Sequence, residues 1–214
     1  MSNPDSFIDE VTEEVRRDRL FAMLRRYGWI AVAVVLILVG GTAYNEWRTA
    51  RADAAAQALG DAVNAALGQE TSQERAAALA AIDTTDMPGS VVVKLLAAAE
   101  QLASEDSAAA ATALRSIADD ANVAQPFRQL AALKLALALE AEASIEERRA
   151  LLEPLASGSS FRLLAEEQLA LIDIEAGETE AAISRLQNLL ADAETTSGLR
   201  QRATQLIVAL GGEL

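Results

Sequence analysis

Along most of the chain apolar residues recur three and four positions apart, the spacing of one helix face, and β-branched runs are scarce. The pattern predicts an all-α protein. One short run, Val91-Val92-Val93, competes as a strand, but it leads straight into "KLLAAAEQLA" and reads as helix. A second departure is larger. From Tyr27 to Asn45 nineteen residues pass without a charge, inside "RRYGWIAVAVVLILVGGTAYNEWR". As a helix this run extends roughly 28 Å, close to the hydrocarbon thickness of a bilayer. A buried strand needs far fewer residues.

The aromatic residues sharpen that reading. The two Tyr and two Trp of the whole sequence are Tyr27, Trp29, Tyr44 and Trp47, all at the ends of the run. Amphipathic rings favour the headgroup level, where the ring is half dry and its polar tip is wet. A cleaved signal peptide is the rival, with Gly41 and Ala43 as a weak small-x-small pattern. The long, acid-containing leader of 26 residues and the length of the apolar run argue for a retained anchor instead. Arg16, Arg17, Arg19, Arg25 and Arg26 precede the run, and only Arg48 and Arg51 follow it closely. The positive-inside rule then places the N-terminus in the cytoplasm. The expected divisions are a cytoplasmic segment over 1–26, a transmembrane helix over 27–46 and an extracytoplasmic domain over 47–214. Within the leader, Phe7, Val11 and Val15 at helical spacing, with Ser6 as N-cap, predict a short amphipathic helix. Past Trp47 the helix either continues or bends briefly before a second one, and Ala54, Ala58, Ala62 and Ala65 form a small-residue stripe.

Beyond the anchor the chain reads as helix pairs. Thr71 with Glu74 and Ser144 with Glu147 have the spacing of capping boxes, and Pro126 suits a first helical turn. Ser159 or Ser160 is placed as the next cap, and Gly158 and Gly177 as helix stops. Breaks are predicted near 69–71, 83–90, 104–107, 119–125, 143–144, 157–160, 177 and 194–198. Leu96-Ala97, Leu130-Ala131 and Leu164-Ala165 are spaced 34 and 34; Leu102-Ala103, Leu135-Ala136 and Leu169-Ala170 are spaced 33 and 34. On the second helices Ala113-Leu114, Ala150-Leu151 and Ala182-Ile183 recur at 37 and 32. A period near 34 built from two helices is the tetratricopeptide signature, with small residues where paired helices approach and Leu between repeats. The fullest unit is "LLAEEQLALIDIEAGETEAAISRLQNLLADAETT", in which Leu169, Ala170, Gly177, Ala182 and Leu186 fall on the pattern. Glu166 and Asp173 stand where it prefers aromatic residues, and Glu194 where it prefers Pro.

Charge and composition narrow the function. Residues 46–214 carry 26 acidic and 13 basic side chains. A surface so acidic repels phosphate backbones, so nucleic acid is not an expected partner. There is no His and no Cys. That removes imidazole bases, thiolate nucleophiles, Cys/His zinc sites and disulfides. Neither Gly40-Gly41 nor Gly211-Gly212 follows a strand and opens a helix, as a nucleotide loop requires. No enzyme, cofactor or small-molecule substrate is expected.

The order of parts, a leader ending in "LRRYGW", one membrane helix, "NEWRTARADAAAQALGDAV" and degenerate tetratricopeptide repeats, resembles the ancillary SecYEG translocon subunit family. The resemblance implies a bacterial inner-membrane protein whose repeats face the periplasm. It implies partners in the SecYEG translocon and a membrane-anchored periplasmic chaperone of the prolyl-isomerase type, with a role assisting exported proteins. A membrane-tethered assembly factor or accessory subunit of another envelope or respiratory complex fits the same architecture. In the repeat phase above, Leu133, Leu137, Leu171 and Ile174 are the expected groove positions, although each also fits ordinary packing between helices.

Overall fold

The computed structural model describes residues 4–85, 87, 89–139 and 143–213, with the side chains of 4–22, 24 and 31 excepted. Contacts divide the chain into two units, Met1–Leu59 and Gly60–Leu214. The first is a single element. Helix α1 runs from Pro4 to Leu67, so the leader, the uncharged run and the Ala stripe lie on one helix. The sequence had placed a separate short helix capped by Ser6; the helix has already begun at Pro4, and Ser6 lies inside it. The uncharged run connects the two stretches without a Pro, and nothing in it interrupts the backbone ladder. Arg16, Arg17 and Arg19 fall on α1 but among the side chains that lie outside the described residues.

The second unit is a row of helices: α2 (Ser72–Ala80), α3 (Ser90–Ala103), α4 (Ser107–Ala118), α5 (Gln125–Ala138), α6 (Ile145–Ala156), α7 (Arg162–Glu175), α8 (Thr179–Ala191) and α9 (Ser197–Ala209). Each packs on its sequence neighbour, and beyond these neighbours α3 also meets α5. The hairpins are therefore α3/α4, α5/α6 and α7/α8, with α9 closing the row. Three core clusters follow in order, and each is centred on one second helix held between two first helices. Leu114 and Ile117 of α4 pack among Leu95, Ala131 and Leu135. Leu152 and Leu155 of α6 meet Leu133, Leu169 and Ile172. Leu186 and Leu189 of α8 meet Ala170, Leu199 and Ile207. A hairpin alone leaves one apolar face wet, and its neighbour covers it; this is the quasi-one-dimensional logic of repeat proteins.

Local signals explain the boundaries. Thr71 and Glu74 form the reciprocal capping box of α2. Ser144 Oγ accepts the Glu147 N–H, but Glu147 does not return the bond and pairs with Arg115 instead. Pro126 occupies the first turn of α5. The cap expected at Ser159 or Ser160 differs: Phe161 is the N-cap of α7, and Ser159 Oγ accepts the Phe161 N–H while donating to Leu155 O. Three first helices end alike. Glu105 (φ 64°), Gly177 (φ 77°) and Gly211 (φ 76°) adopt the left-handed conformation just past α3, α7 and α9. In each case the next N–H bonds the carbonyl five residues back: Asp106 to Gln101 O, Glu178 to Asp173 O and Gly212 to Ile207 O. These are Schellman closures that satisfy carbonyls left open by the helix end. Glu105 bears a Cβ where the other two bear none.

The register of the second helices needs correction. The buried pairs four residues apart are Ala110/Leu114, Arg148/Leu152 and Ala182/Leu186. Ala113 is only partly buried and Ala150 is exposed. Only the Ala182 turn was correctly assigned, because Ala-Leu coincidences abound in this composition and α6 carries Arg148 where its neighbours carry Ala.

Candidate functional site

The repeat unit exposes few large apolar side chains, and they are not scattered. Among the described residues they are Leu67, Val92, Phe127, Leu137, Leu164, Leu171 and Val208. Every one lies on α1, α3, α5, α7 or α9; α2, α4, α6 and α8 contribute none. Helical geometry gathers several into a strip. Leu164, Gln168, Leu171 and Glu175 follow the i, i+4, i+7, i+11 face of α7. On α5, Phe127, Leu130, Lys134 and Leu137 share a face in the same way.

The strip is indented twice. Between α5 and α7 a small cleft of about 40 Å³ is lined by Leu137, Gln168, Leu171 and Glu175, with Arg148 and Leu152 at its back. Between α7 and α9 a broader one of about 650 Å³ is lined by Glu167, Gln168, Leu171, Arg202, Gln205, Leu206 and Ala209. Gln168 and Leu171 belong to both, so the two form one groove across three first helices. Of the four positions expected from sequence, Leu137 and Leu171 lie in it at 46% and 38% exposure. Ile174 is half-buried and lines neither cleft. Leu133 is a correction: it is buried in the core against α6 and α7, so it is not available to a partner. It lies one turn from Leu137, where the helix face curves toward the next repeat, a rotation that spacing alone does not resolve. Gln168, Arg202, Gln205 and Leu206 were missed. The signal that would have found them is the repeat phase carried onto α9, whose match to the pattern is faint.

Charged side chains hold the groove wall in place. Asp173, 2% exposed, accepts from Arg149 Nη2 at 2.8 Å and from Arg185 Nε at 3.1 Å. Arg149 also donates to Glu178, and Arg185 to Glu166 at 2.6 Å. The bond to Glu178, with the nearby Asp173 charge, raises Arg149 above its ordinary range. Burial acts to lower Arg185, but the bonds to Glu166 and Asp173 outweigh it, and its pKa rises. Arg202 forks onto Glu167 with bonds of 2.6 and 2.8 Å, and Glu167 is itself buried. Arg148, also buried, reaches Glu175. At the two positions where the repeat pattern favours aromatic rings, α7 thus places Glu166 and Asp173, which tie α6 and α8 to it through charge-assisted bonds. Glu194, in the Pro position, pairs with Arg162.

In the first unit the most apolar window of α1 has no buried residue, and the helix is long and apolar enough to cross a membrane. Tyr27, Trp29, Tyr44 and Trp47 are all exposed. Arg26 stacks over Tyr27 at 5.8 Å and Arg51 over Trp47 at 5.4 Å. Such cation–π pairs sit at both ends of the uncharged run. Among the searched residues no group of His, Cys, Asp or Glu has the arrangement of a metal site.

Stacked helical hairpins with a lined groove on the first helices define a tetratricopeptide-type interaction module. The family model for the tetratricopeptide repeat-like domain matches residues 25–206, so it includes the apolar stretch of α1. The chain belongs to this family, whose repeats generally serve as non-catalytic protein-interaction modules. No curated protein and no solved structure matches it.

Proposed function

We propose that this protein is a membrane-tethered interaction module that receives a polypeptide partner on its first-helix groove. The observation that carries the reading is that, among the described residues of the repeat unit, the exposed large apolar side chains lie on the first helices or the end of α1 and none on a second helix. Random surface residues would fall on both kinds of helix, and contiguous apolar strips mark interaction surfaces. The unburied apolar window of α1 supports the tether, since exposing it to water costs about 25 cal/mol per Å². The arginines concentrated before the run and the aromatic rings at both its ends support a single span with the repeats on the far side. Tethering raises the local concentration of the module near other membrane components without any new contact.

The partner is the one that the resemblance to the ancillary SecYEG translocon subunit family implies. The reading is association with the Sec translocon and a membrane-anchored periplasmic chaperone, with the repeats in the periplasm assisting exported proteins. The second reading, an accessory subunit of a different envelope or respiratory complex, draws on the same groove and anchor. Crosslinking from the groove in native membranes separates them. Translocon subunits or exported chains among the products support the first; a single other complex in their place overturns it.

A further inference from the structure

We infer that the broad cleft between α7 and α9 takes a segment of another polypeptide in which aliphatic side chains adjoin one acidic side chain, and that Arg202 receives that carboxylate. This rests on the groove being the partner surface, and adds the chemistry of what it takes. Leu171, Leu206 and Ala209 make the cleft aliphatic, and Arg202 stands on the same face of α9, one turn before Leu206. Arg202 donates to Glu167 through Nε and Nη2, and its Nη1 makes no bond among the described residues. Its side chain is 53% exposed, whereas that of Glu167 is 7% exposed. The carboxylate of this pair lies beneath, and the guanidinium is what the cleft presents.

An arginine already bonded to one carboxylate can hold a second, and this protein does so three times. Arg149 holds Asp173 and Glu178, Arg162 holds Asp192 and Glu194, and Arg185 holds Glu166 and Asp173. Arg202 holds one, and of these four it is the arginine that lines the groove. The other ion pair along the groove points the opposite way, with Glu175 49% exposed and Arg148 5% exposed. The partner's acidic side chain therefore belongs over α7 and α9, not over the smaller cleft. Lys134, one turn before Leu137, adds a cation to the strip. The repeat unit as a whole is acidic and repels such a segment at long range. At about 0.15 M salt that repulsion is screened beyond roughly 8 Å, whereas a hydrogen-bonded ion pair in contact persists. Because the groove runs on across three first helices, the segment passes through it, and the carboxylate is a side chain and not a chain end.

The test uses the full chain in nanodiscs of zwitterionic lipid at about 0.15 M salt, with empty discs as the blank. Two fluorescent peptides, blocked at both ends, share a Leu/Ser background and differ at one central position, Glu or Gln. Anisotropy titration is expected to give about tenfold tighter binding of the Glu peptide. Leu171→Gln is expected to weaken both peptides about tenfold. Removing Arg202 alone would strand the buried Glu167, so the pair is removed together. Glu167→Gln with Arg202→Gln is expected to erase the preference for Glu, with helix content checked by circular dichroism. Glu167→Gln alone leaves Arg202 without its internal counter-charge, and is expected to tighten the Glu peptide about threefold. Equal binding of the two peptides, a preference that persists in the double variant, or no tightening by Glu167→Gln overturns the inference. The groove reading survives each of these if Leu171→Gln weakens both peptides. A third peptide carries the central Gln and a free C-terminal carboxylate; binding as tight as that of the Glu peptide overturns the assignment to a side chain. Binding of neither blocked peptide, or binding indifferent to Leu171→Gln, overturns both the inference and the groove reading. Self-association abolished by Leu171→Gln also overturns the inference, because the occupant is then a second copy of this chain.

Discussion

Replacing Asp173 by Ala tests whether charge ties hold the groove wall. The carboxylate is buried and accepts two charge-assisted bonds, one from Arg149 on α6 and one from Arg185 on α8. Removing one member of a fully buried ion pair costs about 3–5 kcal/mol when its partner is stranded. Here neither arginine is stranded. Arg149 keeps Glu178, Arg185 keeps Glu166, and both guanidiniums are about one-third exposed. The loss is then nearer that of the two bonds discounted for rehydration of the arginines, about 2 kcal/mol. For a helical unit of this size that corresponds to a fall in Tm of about 4–8 °C. Glu166→Ala removes one bond from a pair accessible to solvent on both sides, and is expected to cost less than about 1 kcal/mol. The assay is urea denaturation of both variants in detergent, followed by circular dichroism at fixed lipid and salt, with the m-value checked for constancy. A cost for Asp173→Ala below about 0.5 kcal/mol, or equal to that of Glu166→Ala, would refute the reasoning.

Other outcomes follow from the same structure. Leu186→Ala empties a fully buried site between α7 and α9 and is expected to cost about 2–5 kcal/mol in the same denaturation assay. The left-handed helix ends predict opposite signs: Gly177→Ala destabilises by about 1 kcal/mol, while Glu105→Gly is neutral to stabilising by up to about that amount. Melting curves of the two variants check both directions. Acid sensitivity includes a contribution from Asp192. The Arg162 guanidinium, aided by the Glu194 N–H, holds its carboxyl below the usual carboxylate range. Its folded pKa is depressed, so the clasp is fully present above the unfolded value near 4 and is lost as pH falls through the folded one. Between about pH 6 and pH 3 the wild-type Tm is expected to fall more than that of Asp192→Asn; parallel slopes would show that the clasp contributes nothing.

How much was legible can be followed through particular residues. Thr71, Pro126, Gly158 and Gly177 act within one or two turns of themselves, and each break they marked is present. Leu169, Ala170, Ala182 and Leu186 were placed correctly because an unbroken 34-residue unit fixes their phase, and all four are buried. The phase failed on α6, where Arg148 occupies the position of a buried small residue and compensates by reaching Glu175 on another helix. That compensation spans 27 positions and leaves no local trace. Leu133 and Leu137 differ by one turn, yet one is core and the other groove, because the decision depends on which neighbouring helix arrives beside them. Ser159 lost its expected role as cap for a similar reason: its hydroxyl is engaged by Leu155 at the end of the preceding helix.

The most direct measurement is position-resolved photocrosslinking of the protein in the cells that express it. A crosslinking residue is placed singly at Leu137, Leu171 or Gln205 in the groove, and at Thr112, Ser184 or Gln187 on second helices. The same partner band from all three groove positions, with none from the second-helix set, is the predicted result. Equal labelling from both sets, or labelling from the second helices alone, contradicts it.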